Sequence, residues 1–330
     1  MLINKGNFIM KTLSKVIAAT VLSVFAAVSF AKDTEIWVPY PAGGITGKGG
    51  VAAQMLMREN TNDAIDMNYV PGAGGKLGLK KWWAEPASDD KINLVVSNET
   101  ILMSAYLTGD LPVDMIETGV KPVFVIGSTG LLVHASPKLD VKTWQDFDRL
   151  GKDKLNVGSM GKGSFTHLMV LTLQKYIKTP LNVVVYNSAP KLMNDVAGGH
   201  LDIGLGFDIT SQGFAKKGLT TAVLSTHGFA GMPDVPSFAE AFGPDEKVPT
   251  KTTFAMFARA DADPADIKYV RGLITKGFRS WVNENEYRTN FFIPGYIYNQ
   301  AEIDAWWENH KKFFREAQND PAYAALKEKE

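Results

Sequence analysis

The chain of 330 residues contains no cysteine, and its formal net charge is zero. Without cysteine there can be no disulfide framework, no thiol nucleophile, no zinc–thiolate site and no lipid anchored through a cysteine. The balanced charge leaves no electrostatic footprint for nucleic acid, so we expect no nucleic-acid partner. Hydrophobic residues make up 45% of the chain and charged residues 21%. That composition is typical of an ordinary globular protein, and the length suggests about two domains.

A long apolar run occurs once, within the segment 1–31. Three lysines precede the run Val16–Val28, and small residues follow it up to Ala31. This order is typical of a cleavable secretory signal peptide, so we expect an exported protein. The alternative is a membrane anchor, but the run is shorter than the roughly 20 residues that a spanning helix needs. Cleavage after Ala31 would remove three of the 35 basic residues and no acid, which leaves a net charge of −3.

The remainder of the chain alternates between strand-like and helix-like patterns. Helical patterns begin at Gly50, Ser164, Ser188 and Asp263, and a further apolar stripe runs over 303–314. Short β-rich runs lie between them, at 35–40, 92–96, 123–126, 131–133, 155–157, 183–185, 202–205, 221–224 and 253–257. This alternation predicts an α/β protein whose sheets are mainly parallel.

Four loops have an unusual composition, rich in glycine or hydroxyl residues. They span 39–50, 71–75, 97–100 and 158–167, and three of them follow predicted strands. Open α/β sheets bind ligands at the carboxyl ends of their strands. Glycine allows backbone N–H groups to approach a ligand closely, and helix N-termini favour anions. These loops therefore predict a site for a small carboxylate or phosphate.

The sequence lacks the motifs that are typical of nucleotide binding, metal binding and serine hydrolysis. No loop matches the phosphate-binding pattern G-x-x-x-x-G-K-[ST] or the dinucleotide pattern G-x-G-x-x-G, so we expect no nucleotide cofactor. The five histidines show no paired metal-ligand spacing, so we expect no metal. The nucleophile elbow G-x-S-x-G is also absent. We therefore expect that the protein is not an enzyme. An exported hydrolase that uses Ser164 and His167, which are three residues apart, stays open as an alternative.

Five different short segments, in a fixed order along the chain, together match the motifs of one known protein family. Three of them read VPYPAGGIT at 38–46, VPGAGGKLG at 70–78 and NVGSMGKGSFTH at 156–167, and two more lie at 186–202 and 232–241. Together they resemble the motifs of the periplasmic substrate-binding receptors of tripartite tricarboxylate transporters, the Bug receptors. The matches run from about residue 36 to the last helix and cover nearly all of the chain beyond the signal peptide.

The resemblance implies a type II periplasmic binding protein, in which two α/β lobes close like a clam shell and two crossover segments form the hinge. Lobe 1 would comprise 32–131 and 252–330, and lobe 2 would comprise 132–251. Such a receptor captures a small organic carboxylate, either a di- or tricarboxylate or an aromatic acid. It delivers the ligand to a membrane permease without bond chemistry. We expect a monomer, and docking on a sensor kinase is an alternative role.

The resemblance also implies which residues bind the ligand. Lys48 follows a glycine where the family usually has an aspartate, and this exchange would favour a more anionic ligand if the ammonium points inward. Asp208 is expected to serve as a pocket aspartate. The full set of expected ligand-binding residues is Tyr40, Gly43, Gly44, Thr46, Lys48, Asn98, Thr100, Gly158, Ser159, Ser164, Thr166, His167 and Asp208.

Overall fold

The computed structural model describes residues 32–317 except 87, 113, 244–249, 281–296 and 298. The predicted signal peptide at 1–31 lies outside the described residues. Within the described ranges, no helix combines the length and apolar character needed to cross a bilayer.

Ten described strands form two five-stranded sheets. The first sheet has the order β2-β1-β3-β10-β4 and the second has the order β7-β6-β8-β5-β9. The strands of the first sheet are β1 (Asp33–Val38), β2 (Ile65–Tyr69), β3 (Lys91–Asn98), β4 (Val120–Thr129) and β10 (Thr252–Arg259). Those of the second are β5 (Leu131–Ala135), β6 (Leu155–Ser159), β7 (Leu181–Val185), β8 (Ile203–Phe207) and β9 (Thr221–Ser225).

Each sheet is mixed, with four strands in one direction and a single reversed strand. In the first sheet β1 pairs in parallel with β2 and β3, whereas β10 is antiparallel to β3 and β4. In the second sheet β6 pairs in parallel with β7 and β8, whereas β5 is antiparallel to β8 and β9. The reversed strands are the two that enter a sheet from the other one. The predicted two-lobed α/β fold is confirmed, and the mainly parallel pairing is replaced by equal numbers of parallel and antiparallel pairs.

The chain passes between the sheets twice. At the first crossover β4 ends at Thr129 and β5 begins at Leu131, so Gly130 alone joins the two sheets. At the second crossover the chain returns through 226–251 to β10. This distribution of strands supports the predicted lobes, and their exact boundaries at 131/132 and 251/252 stay a prediction.

Nine described helices connect and cover the strands. The first begins at Ile45, five residues before the predicted start at Gly50, and the short helices after β2, β3 and β8 were not predicted. The helices are α1 (Ile45–Arg58), α2 (Lys76–Ala84), α3 (Glu99–Leu107), α4 (Phe165–Gln174), α5 (Ala189–Ala197), α6 (Asp208–Lys216), α7 (Phe238–Phe242), α8 (Pro264–Ser280) and α9 (Gln300–Ala317).

Strands β3, β4 and β10 of the first sheet are buried on both faces, as continuous apolar strands require. On one face Phe278 of α8 packs against Phe124 of β4, with ring centroids 5.4 Å apart. On the other face Trp307 of α9 packs against Phe257 of β10 at the same centroid distance. The predicted apolar stripes of the two long C-terminal helices therefore pack against the first sheet.

His134 of β5 is a fully buried polar residue in the second sheet. Its Nδ1 lies 2.9 Å from the Thr220 hydroxyl, and its Nε2 lies 2.9 Å from the Ser211 hydroxyl. Burial lowers the pKa of His134 to about 3, so the imidazole is neutral near neutral pH and both nitrogens are satisfied by hydroxyls.

We expect the free energy of unfolding to fall as the pH decreases from about 6.5 towards 3. The unfolded chain binds a proton in this range and the buried His134 imidazole does not, which costs up to about 1.4 kcal/mol per pH unit. Urea unfolding of the wild type and His134→Gln at about pH 7 and pH 5 measures this contribution. The variant should lose less stability between the two pH values, and an equal loss in both proteins would contradict the assignment.

Candidate functional site

A cleft of about 240 Å³ lies between the two sheets, at the carboxyl ends of their strands. The first sheet contributes the loop after β1, the residue that ends β3 and one residue of β10. The second sheet contributes the segments that follow β6, β7 and β8. The lining residues are Tyr40, Pro41, Gly43, Gly44, Ile45, Thr46, Asn98, Met160, Ser164, Phe165, Thr166, Asn187, Ser188, Ala189, Pro190, Phe207, Thr210 and Phe254.

Seven of the thirteen predicted ligand-binding residues line this cleft, and six do not. Contact with a ligand stays a prediction for all thirteen. The seven that line it are Tyr40, Gly43, Gly44, Thr46, Asn98, Ser164 and Thr166. The six outside the lining are Lys48, Thr100, Gly158, Ser159, His167 and Asp208.

The N-terminus of α1 forms one wall of the cleft. Gly44 is its N-cap residue and supplies no side-chain cap to the first-turn amides. A Cβ at Gly47 would lie 2.3 Å from the Ala42 carbonyl oxygen, so only glycine allows the helix to start this close to the preceding loop. Gly47 and Gly50, counted as loop residues in the sequence, are thus packing residues in a helix. The uncapped first turn leaves N–H donors, with a partial positive charge, beside the cleft.

Tyr40 and Asn98 form a second wall. The Tyr40 hydroxyl donates to the Gly74 carbonyl oxygen at 2.7 Å. Its surroundings bury the phenol and raise its pKa, although a hydrogen bond with Asn98 opposes that shift. Asn98 caps α3 by accepting from the Ile101 amide at 3.0 Å. The Thr100 hydroxyl donates to the same Asn98 oxygen at 2.7 Å and so supports the cap from behind the lining.

On the opposite side, a buried cluster of three hydroxyls lies at the N-terminus of α4. Ser164 caps the helix, as predicted, by accepting from the His167 amide at 3.2 Å. Its Oγ lies 2.9 Å from Thr166 Oγ1, which accepts from the Met160 amide at 2.9 Å. Ser159 Oγ lies 3.2 Å from Thr166 Oγ1 and is fully buried. Ser159 thus orients the two lining hydroxyls.

The His167 ring does not activate Ser164. Its Nδ1 accepts a hydrogen bond from the Gly163 amide at 2.9 Å. Burial lowers the pKa of His167, and the nearby charges of Lys162 and Lys76 lower it further, so the ring is neutral near neutral pH. Ser164 Oγ contacts neighbouring hydroxyls and a backbone amide instead. The nucleophile–base bond that a serine hydrolase needs is therefore not formed by these two residues.

The surroundings of Gly158 and Lys48 in the structure differ from the ligand-binding positions that the sequence suggested. A Cβ at Gly158 would lie 2.7 Å from Leu192 and 2.9 Å from Leu201, so this glycine permits α5 to pack on β6. Lys48 is half-buried in the first turn of α1 and lies outside the lining of the cleft.

Sequence reasoning missed the contribution of the α5 and α6 N-termini. Ser188 is the N-cap of α5 but makes no side-chain cap hydrogen bond, and Pro190 occupies the first turn. Thr210 lies in the first turn of α6. The start of α5 was predicted from Ser188 and Pro190, but that segment contains no glycine run and was therefore not selected as part of the site.

The Asp208 carboxylate contacts both of the segments that cross between the two sheets. Its carboxylate accepts from the Thr129 hydroxyl at 2.6 Å and from the Gly130 amide at 2.9 Å. His227 Nε2, on the second crossover, lies 3.3 Å from the same carboxylate. A Cβ at Gly130 would lie 2.2 Å from the His227 ring. The carboxylate therefore joins both crossovers, and its acceptor capacity is used there rather than in the cleft.

Asp208→Asn is expected to lower the free energy of unfolding by about 1–3 kcal/mol, because an amide cannot accept all of these hydrogen bonds and leaves a buried donor unpaired. Asp234→Asn is the matched control, since Asp234 is exposed on the second crossover. Urea unfolding compares the two variants. Equal stability of both would show that the hinge contacts of Asp208 contribute nothing measurable.

The two lobes touch through glycines on either side of the cleft. A Cβ at Gly74 would lie 3.2 Å from the Met160 carbonyl oxygen, and one at Gly161 would lie 3.0 Å from Gly74 Cα. A Cβ at Gly163 would lie 1.9 Å from the Ser104 hydroxyl of α3. The described conformation is therefore closed around the cleft.

Among the described residues, no group of three or more histidine, aspartate or glutamate side chains is arranged to hold a metal ion. The donors at the cleft are amides and hydroxyls, which suit an anion better than a cation.

Known proteins share both the sequence pattern and the fold. A UPF0065 protein of Bordetella bronchiseptica is 28% identical over 182 residues, which is 54% of this chain and 53% of that protein. The chain therefore spans about half the length of this relative.

Two solved structures from Rhodopseudomonas palustris share the fold. MatC with bound malate has a TM-score of 0.71 at 17% identity, covering 91% of this chain and 100% of that one. Rpa4515 with adipate has a TM-score of 0.67 at 16% identity, covering 88% and 98%.

The family itself is identified by its sequence profile. The profile described as the tripartite tricarboxylate transporter family receptor matches residues 51–308, which is well over half of the chain. The predicted resemblance is thereby confirmed, and the chain belongs to the tripartite tricarboxylate transporter receptor family.

Proposed function

We propose that this receptor binds a small organic carboxylate in the cleft between its lobes, in the periplasm, and delivers it to a membrane permease. The observation that carries the proposal is the convergence of helix N-termini from both lobes on one cleft. Those of α1, α4 and α5 supply lining residues directly, and neither α1 nor α5 has a side-chain cap. Uncapped amides and oriented hydroxyls are donors that a carboxylate satisfies.

The energetics favour a small anion over a neutral guest. Each charge-assisted hydrogen bond contributes about 1.5–3 kcal/mol, and each helix end adds about 0.3–1 kcal/mol. Four or five such contacts reach the roughly 8 kcal/mol of micromolar binding. The cleft volume of about 240 Å³ suits a molecule of a few carbon atoms. Malate and adipate, the guests of the two solved neighbours, are acids of that size.

The two-lobed architecture supports delivery to a permease. Closure of the lobes around a ligand changes the surface that a membrane partner meets, which couples binding to docking. A monomer with one cleft is sufficient for this role. A sensor-kinase partner would read the same closure, and it stays an alternative partner for the same site.

A thermal-shift screen tests carboxylate binding. The protein lacking 1–31 is titrated with straight-chain monocarboxylates and dicarboxylates, with citrate, and with benzoate. A bound acid at 100 times its Kd stabilises the fold by about 2.7 kcal/mol and raises the Tm accordingly. The neutral diamide of each dicarboxylate serves as a control of the same shape and should produce no shift.

Two results would overturn this function. One is the absence of a shift with every acid, and the other is an equal shift with an acid and its amide. Turnover of simple esters by the purified protein would favour the hydrolase instead.

Closure itself is tested with a matched pair of glycines. Gly74 and Gly151 both have φ +65°, but a Cβ at Gly74 meets the other lobe whereas one at Gly151 meets nothing within 4 Å. Both alanine variants place a side chain at the same positive φ, so their difference reports the contact between the lobes. Overpacking costs about 1–3 kcal/mol, so Gly74→Ala should weaken binding of the best acid from the screen at least about fivefold relative to Gly151→Ala. Isothermal titration calorimetry measures both affinities, and equal values would contradict the role of this contact in closure.

A further inference from the structure

The cleft combines its hydrogen-bond donors with a large apolar surface. None of the described residues that line it is a lysine, arginine, histidine, aspartate or glutamate. Three of them are phenylalanines, namely Phe165 at the start of α4, Phe207 at the end of β8 and Phe254 in β10. Ile45 and Met160 add aliphatic surface to the same lining. A guest whose carboxylate meets the helix N-termini therefore places the rest of its body against hydrocarbon.

Two of the phenylalanines meet across the two sheets. The Phe207 ring comes from the second sheet and the Phe254 ring from the first, with centroids 5.7 Å apart and planes inclined by 69°. This edge-to-face arrangement is a favourable one for two aromatic rings. Phe254 is fully buried and Phe207 is half-buried, so Phe207 is the more accessible of the two. We call these two residues the phenylalanine pair.

Phe207 occupies a position where a polar residue would stabilise the local structure. It is the N-cap residue of α6, and it makes no side-chain cap hydrogen bond. Serine, threonine, aspartate and asparagine are strongly preferred at this position, because their side chains accept from the amides of the first turn. Residues that break a local preference are expected at functional sites. The phenylalanine forgoes the cap and supplies an aromatic ring to the cleft instead.

Polar side chains beside the phenylalanine pair are already used within the protein. The Thr210 hydroxyl donates to the Phe207 carbonyl oxygen at 3.1 Å. The Tyr40 hydroxyl donates to the Gly74 carbonyl oxygen, and the Asn98 side-chain oxygen accepts at the start of α3. A hydroxyl or second carboxylate on the body of a guest would lose its water here and find few partners, which is unfavourable.

We propose that the phenylalanine pair makes this receptor selective for monocarboxylates with a flat, apolar body, of which benzoate is the simplest, and that Phe207 is the specificity-determining residue. This inference rests on the proposed function, because the carboxylate itself is held by the N-terminal donors. It narrows the ligand from small organic carboxylates in general to this class. It also replaces the more anionic ligand that Lys48 would favour, since Lys48 lies outside the lining.

The first test uses pairs of acids that are matched in shape and differ in polarity. Calorimetry on the protein lacking 1–31 compares 3-methylbenzoate with 3-hydroxybenzoate, and hexanoate with adipate. We expect the apolar member of each pair to bind about tenfold or more tightly, because the polar group of the other member is buried without a partner. The methyl and hydroxyl groups are similar in size, so a difference between the benzoates reports polarity rather than fit.

The second test assigns the preference for a flat body to Phe207. Affinities for benzoate and cyclohexanecarboxylate are measured for the wild type, Phe207→Leu and Phe242→Leu. Leucine keeps an apolar side chain but removes the ring, so the ratio of the two affinities should fall about threefold or more in Phe207→Leu. Phe242 is the matched control, since it is also half-buried and stacks on Tyr176 outside the lining of the cleft. Its variant should keep the ratio of the wild type.

Two results with the wild type would overturn the apolar selectivity and leave the proposed function intact. They are equal or tighter binding of 3-hydroxybenzoate relative to 3-methylbenzoate, and tighter binding of adipate than of hexanoate. An unchanged ratio in Phe207→Leu would overturn the role of Phe207, and the comparisons on the wild type stand even if this variant does not fold. Failure of every acid to bind the wild type would overturn both the selectivity and the proposed function.

Discussion

One buried carboxylate determines how the two halves of this protein meet. Asp208 accepts hydrogen bonds from Thr129 and Gly130 at the first crossover and lies beside His227 at the second. The Thr226 hydroxyl reinforces the junction by accepting from the Leu131 amide at 2.9 Å. Because both crossovers are held at one place, the carboxyl ends of the two sheets face each other across a cleft. The junction therefore lies where the two sheets meet beside the cleft.

The cleft can stabilise negative charge without a buried cation. The cleft offers neutral donors, namely the amides of helix N-termini and the hydroxyls of Ser164 and Thr166. Neutral donors avoid the desolvation cost of a buried, unpaired cation, and they are already oriented before a guest arrives.

Sequence patterns located most strands, the cap at Ser164 and the stripes of the long C-terminal helices, because each depends on neighbouring residues. They misplaced the start of α1, since glycine has low helix propensity and the reason for Gly47 lies in its close approach to Ala42. Strand β2, with the sequence IDMNY, was missed because it lacks a clear apolar alternation. The reversed strands were missed because direction within a sheet depends on where the chain re-enters it.

By itself the sequence determined the class of fold, the family and the loops that meet at the cleft, since each of these is encoded in contiguous residues. Only the tertiary structure decided which side chains in those loops line the cleft. Thr129 and Gly130, nearly 80 positions earlier in the chain, donate the hydrogen bonds that Asp208 accepts. Side-chain direction follows from such distant contacts, and no local pattern of residues records them.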